Sequence, residues 1–401
     1  MGPSAALFLT LALSLSGGSA AAMQSDEPAP DLARQLALLR RRAADSRGGA
    51  AASAGIARDL ERIGRGYLDI GETGRAIELL EEAYGLDERN GLVLAELTLA
   101  YVRAEDFPFA RFYLELAERR AAEAPPEIYA TLGEAYYGLN RVEDAVLAWE
   151  QFERLHGNDP VVLKRLSRAR QELSLSRGQR FLETPDFAIY SDQSISQDVT
   201  EKVSDRLSAT YRAQAALFGT RLDASQVVVL YAGRSYFSLV SVPEWVSGVF
   251  DGKIRLSIDP DGGVTPALEG VLAHELAHAL VRKVSNDRAP GWLHEGVAQW
   301  CEGKRVFRKD FREAFAGGRR PLSLKEMEGN LARRADRAAS RANYAEALGL
   351  IEYLVQQRGE GAVVCLLDAL GEGASLEDAL RRETGLTGTE LVSAWKAWAG
   401  L

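Results

Sequence analysis

Hydrophobic and polar positions in the front half of the chain repeat in register. Leu60, Ile63, Gly64, Tyr67, Ala76, Leu80 and Ala83 set a pattern that Leu94, Leu97, Tyr101, Ala110, Leu114 and Ala117 follow 34 residues later. Tyr129, Leu132, Gly133, Tyr136, Ala145 and Trp149 follow after 35 more, with Phe152 where a small residue is usual. Apolar residues three and four apart predict amphipathic helices, two in each copy, and a period of this length belongs to stacked helix-turn-helix units. The alanines let paired helices approach and the aromatic residues fill the gaps between them. Each unit buries its apolar face only against its neighbours, so the ends need caps, for which 31–44 and 161–177 are candidates.

The pattern changes near residue 178. Residues 180–192 and Gln226 to Tyr231 read as strands, with an amphipathic stretch from Ser196 to Phe218 between them. Gly248 to Ile258 alternates as a further strand, closed by Asp259-Pro260-Asp261-Gly262-Gly263. A helix rich in apolar residues runs through Val271 to Val281, and beyond residue 320 the pattern is helical to the end. The predicted fold is mixed: an all-α solenoid over 56–178, then an α+β domain over 179–401, preceded by a leader (1–22) and a linker with a cap helix (23–55).

The helix from Val271 carries the chemistry. It reads His274-Glu275-Leu276-Ala277-His278, and Trp292-Leu293-His294-Glu295-Gly296 begins its acid-bearing turn shortly after, with Glu295 seventeen positions past His278. Residues four apart stack on one helix face, so both imidazoles reach a single ion. A catalytic zinc takes three protein ligands and leaves one position to water, and His274, His278 and Glu295 would supply the three. Glu275 faces the same cavity as a base that is not itself a ligand. The bland alternative is a core helix whose histidines are satisfied by hydrogen bonds. Against it, a His-Glu-His face among so many apolar neighbours is costly without a cation. The polar loop Lys283 to Gly291 ends in a Pro-Gly break that lets a second helix return.

Together these residues resemble the gluzincin metallopeptidases, and more closely the peptidase MA-like domains attached to tetratricopeptide repeats. The likeness rests on Leu272 to His278, on Trp292 to Ala298 and, more loosely, on Tyr344 to Val355, and covers about half of the chain; the front-half repeat matches the tetratricopeptide spacing. It implies zinc on His274, His278 and Glu295, Glu275 as general base, and Tyr344 as the group that stabilises the oxyanion. An aromatic residue at the start of an apolar helix is also ordinary core packing, the alternative for Tyr344. It further implies that the strand before the zinc helix is an edge that pairs with substrate backbone; an ordinary buried hairpin is the alternative. Many relatives carry asparagine before the third ligand and an acid four residues after it, where this chain has His294 and Gln299. Gln299 would then orient a ligand histidine, and His294 would be a surface residue or a substrate contact. There is no Gly-x-Met-Glu-Asn segment of the kind that holds a substrate amino terminus, so the resemblance implies endopeptidase rather than exopeptidase action.

Composition bounds the remaining classes. With 46% hydrophobic residues the chain is not broadly disordered, and its net charge of −9 argues against nucleic acid as a partner. The partners expected are a peptide or protein substrate and a protein on the concave face of the repeats, for which a rigid spacer without a ligand is the alternative. Residues 5–15 form an apolar run too short to span a bilayer, and Ala20-Ala21-Ala22 has the form of a signal-peptidase site, so export to the periplasm or outside and no stable membrane span after cleavage are expected. The run has no preceding Lys or Arg, and the alternatives are an uncleaved anchor or initiation at Met23, which would make the protein cytosolic. Cys301 and Cys365 would form one disulfide or remain two buried thiols. The competing function is a peptidase fold that has lost activity and serves as an interaction scaffold. A third is hydrolysis of a non-protein amide, for example in cell-wall peptides.

Overall fold

A computed structural model describes residues 11–12, 28–45, 50–104, 106–176, 178–222, 226–239, 247–305, 311, 315, 320–328 and 337–401. The chain divides into two compact units, one ending at Arg177 and one running from Gly178 to Leu401 together with the short strand at Leu11–Ala12. The first is helical and the second α+β.

The helical unit contains α1 (Pro28–Asp45), α2 (Ala50–Asp69), α3 (Thr73–Leu86), α4 (Gly91–Arg103), α5 (Phe107–Arg120), α6 (Glu127–Gly138), α7 (Val142–His156) and α8 (Pro160–Ser176). Helices pack in sequential pairs, α2 on α3, α4 on α5 and α6 on α7, and α4 also packs on α6. Asn90 caps α4 by accepting from the backbone N–H groups of Leu92 and Val93. The alanines of the repeat are fully buried, and at Gly133 any side chain would run into the Trp149 indole. Hydrogen bonds link equivalent places in neighbouring copies: Thr131 Oγ1 donates to Glu96 at 3.1 Å and Arg103 to the carbonyl of Leu68 at 2.6 Å, each across 35 residues. The small-residue stretch over 48–55 is helical from Ala50 onwards, because alanine is the strongest helix former and Gly55 alone within the helical part of that stretch disfavours it. His156 ends α7, stacked on Phe152 at 4.7 Å.

The second unit is built on a mixed sheet ordered β1-β5-β6-β4-β3-β2. Its strands are β1 (Leu11–Ala12), β2 (Arg180–Glu183), β3 (Phe187–Ser191), β4 (Gln226–Ala232), β5 (Gly248–Phe250) and β6 (Ile254–Ile258). The stretch over 180–192 folds as an antiparallel hairpin, turned at Thr184 and Pro185, where the Thr184 hydroxyl accepts from the Phe187 N–H at 2.9 Å. Gly248 to Ile258 is likewise a hairpin, with Gly252 at φ 91° in its turn. This is the buried hairpin of the two alternatives, and β5 is not the outermost strand, since β1 pairs with it on the side away from β6. Of the proposed leader only Leu11–Ala12 is described; the Ala20-Ala21-Ala22 motif lies outside the described residues. No described helix is long and apolar enough to cross a membrane.

Alternate residues on one face of the sheet, Phe187, Ile189, Val228, Leu230, Phe250, Ile254, Leu256 and Ile258, form one core with α9 (Gln197–Phe218) and α11 (Pro266–Ser285). The short α10 (Ser235–Leu239) follows β4. Beyond α11 come α12 (Gly291–Cys301), α13 (Arg337–Arg358), α14 (Glu360–Gly371), α15 (Leu376–Thr384) and α16 (Gly388–Ala399). Helix α12 packs on both α11 and α13. Gly296 permits this, because a Cβ there would stand 2.5 Å from the Ala347 carbonyl oxygen of α13. Cys301 and Cys365 are both free.

Candidate metal centre

Helix α11 starts where Thr265 accepts from the Leu268 N–H and Pro266 occupies the first turn, and it ends at Asn286, left-handed at φ 51°. Asp287 is also left-handed at φ 61°, and these two residues reverse the chain into α12. The reversal brings Glu295 over the histidine face of α11. The His274 and His278 rings lie 4.8 Å apart. Glu295 Oε2 is 3.5 Å from His274 Nε2 and 3.8 Å from His278 Nε2. All three side chains are buried, and their candidate ligand atoms lie within 4.8 Å of one another. None of these three facing atoms has a hydrogen-bond partner.

The other ring nitrogen of His274 points away from this cluster. Its Nδ1 donates to Glu302 Oε2 at 3.0 Å, and Lys304 Nζ holds the same oxygen at 2.7 Å. An acceptor on Nδ1 keeps a proton on that nitrogen, so that in the neutral ring it is the Nε2 lone pair that faces Glu295. Glu302 was missed in the sequence. It lies seven residues past Glu295, two helical turns on and nearly back on the same face, so the signal was present but one turn further than the usual place for this acid. Gln299 corrects the expectation placed on it: its amide donates to the backbone carbonyls of Glu295 and Tyr344, at 3.1 and 3.0 Å, and tethers α12 to α13 instead of orienting a histidine.

Glu275 is fully buried, and neither carboxylate oxygen has a hydrogen-bond partner. Burial pushes its pKa well above the usual carboxylate range and His274 opposes this, while Glu295, Glu302 and Asp251 push it further. Burial also lowers His278, with His274 and His294 adding to the effect. For His274 burial acts downward, but the contacts with Glu295 and Glu302 prevail and raise it to about 9. The Tyr344 hydroxyl stands 3.4 Å from Glu295 Oε1, and burial and the neighbouring carboxylates raise its pKa. Tyr344 is thus beside the cluster and not merely packed in the core. His294 is half-buried, its ring 5.7 Å from that of His278. Burial lowers its pKa to about 4, so it is neutral near pH 7.

Two imidazole nitrogens and a carboxylate oxygen, buried, convergent and unpartnered, match the donors and number that zinc takes in catalytic sites. A dication there would also relieve the repulsion that Glu295 and Glu302 exert on Glu275, which His274 only opposes in part. The three donors lie on a helix pair beside the sheet. Residues 214–400, which run from the last turns of α9 to the end of α16, match the model of the Peptidase MA superfamily. That match supports a gluzincin-like peptidase domain over this stretch. No curated protein matches the chain.

Proposed function

We propose that the α+β unit is a zinc-dependent peptidase, and most simply an endopeptidase. The observation that carries this is the meeting of three orphaned buried atoms, His274 Nε2, His278 Nε2 and Glu295 Oε2, beside a carboxyl group, Glu275, that itself lacks any partner. His274, His278 and Glu295 would hold the ion, which when bound polarises a carbonyl and makes water a nucleophile near neutral pH. Glu275 takes a proton from the attacking water on its carboxylate and delivers it to the departing amine. Glu302 and Lys304 keep His274 in the tautomer that turns Nε2 inward. Tyr344 donates its hydroxyl proton as a hydrogen bond to the oxygen that gains charge, from its position next to Glu295.

The helical unit is read as a tetratricopeptide-type array that holds a protein partner or substrate. Support comes from the 34- and 35-residue period and from hydrogen bonds that join neighbouring copies at a 35-residue spacing. Export is retained as the address, on the apolar run and the alanines that follow it.

The test compares the parent with Glu275→Gln for bound zinc and for hydrolysis of a mixed peptide library. Glu275→Gln is expected to keep about one zinc per chain while turnover falls by about 100-fold to 10,000-fold. Zinc in both proteins with no peptide cleaved by either would favour the scaffold reading, and absence of zinc would remove the metal centre.

A further inference from the structure

Strand β5 runs along the histidine face of α11. Its register with β6 pairs Gly248 with Leu256 and Phe250 with Ile254, so Gly248 and Phe250 share the face turned to the core. Phe250 stacks over His278, with ring centroids 6.5 Å apart. Two residues earlier Gly248 reaches Glu275. A Cβ built on Gly248 would lie 2.6 Å from Glu275 Oε1, 2.9 Å from Glu275 Cγ and 2.6 Å from Val271 Cγ1. Real Cβ atoms do not approach so closely. The backbone at Gly248 is ordinary strand, paired on one side with β6, so glycine is required there by space and not by conformation. Val271 and Glu275 are four apart on α11 and present one continuous ridge to the strand.

From this contact we infer that Gly248 is a positioning residue for Glu275. Its bare backbone forms the wall against which the carboxyl group rests, and it admits the strand close enough that this carboxyl has one place to go. Glu275 has no hydrogen bond to fix its rotamer. Packing against Gly248 therefore substitutes for a hydrogen-bonding partner, and it leaves both oxygens of the base free for a proton. This inference rests on the peptidase reading for its catalytic consequence, but the placement of Glu275 can be tested without it.

The experiment makes Gly248→Ala and the same change in a Val271→Ala background, which clears one of the two obstructions. Gly248→Ala is expected to retain zinc and to lose about 10-fold to 100-fold in kcat, as misplacement of a reacting group does, with KM within about twofold because the change removes no binding group. Val271→Ala should restore most of that loss, which a generally damaged fold would not show. A crystal structure of each protein reads the position of Glu275 directly. A displaced Glu275 with His274, His278 and Glu295 unmoved supports the inference even if the parent cleaves no peptide. An unmoved Glu275, or an unchanged kcat, overturns it. If Gly248→Ala does not fold, the double variant is compared with Val271→Ala alone by the same two measurements.

Discussion

Glu302 sits one residue past the end of α12, at its C-cap, yet it sets the tautomer of a residue on α11. His274 and Lys304 hold its pKa below the usual range even though burial acts the other way. Replacing it by glutamine keeps the shape and removes the charge that raises the basicity of the His274 ring. Zinc affinity should then fall by about 10-fold to 100-fold, measured by competition with a chromogenic chelator. A contrasting carboxyl lies in the helical unit. Burial, and then the neighbouring Glu96, raise Glu61 to about 7. A carboxyl raised on folding contributes stability that is present below its unfolded pKa and is lost as pH rises through the folded value. The loss here falls between about pH 4.5 and 7. Because Glu61 is partly exposed, solvent screening reduces the effect to about 1 kcal/mol. Glu61→Gln should stabilise the helical unit by that amount at pH 8 and by nothing measurable at pH 4, in urea unfolding followed at both values.

At the scale of elements, what could be read in advance depended on length. The helices of the front repeat and α11 show their apolar stripes over several turns, and capping residues such as Asn90 and Thr265 mark their starts. The two hairpins were harder. Strands as short as β5 and β2 give too few alternations to reveal a reversal, and Gly252 and Thr184 are the local signals that carry the turn. The three ligand candidates were legible because helical spacing fixes their faces. Glu302 was not, since it stands one turn beyond the usual place for this acid, and Gly248 was not, since it acts through a missing side chain that no spacing rule marks. Gly296 shows how tightly α12 is held. Gly296→Ala would press a methyl group on the Ala347 carbonyl and on Ile351. That should cost about 1 to 3 kcal/mol and loosen zinc through the shift of Glu295, read in unfolding followed by the fluorescence of the buried Trp292.

For the whole molecule, the metal centre is expected to act as a fastener as well as a reagent. His274 and His278 come from α11 and Glu295 from α12, so binding an ion selects the folded arrangement. At free zinc about 1,000 times its dissociation constant the gain is about 4 kcal/mol, and adding a chelator should lower the melting temperature of the α+β unit accordingly. In Glu275→Gln, which keeps all three ligands, the chelator should lower it by the same amount. The two cysteines give this unit a further property. In the sequence they are an equivalent pair, but Cys365 is exposed, whereas burial raises the Cys301 thiol to about 12, next to Glu302. One equivalent of maleimide should therefore label Cys365 quickly and leave Cys301 untouched until the end of α12 opens. The rate at which the second label arrives becomes a clock for local breathing beside the metal ligands, and it should slow when zinc is added.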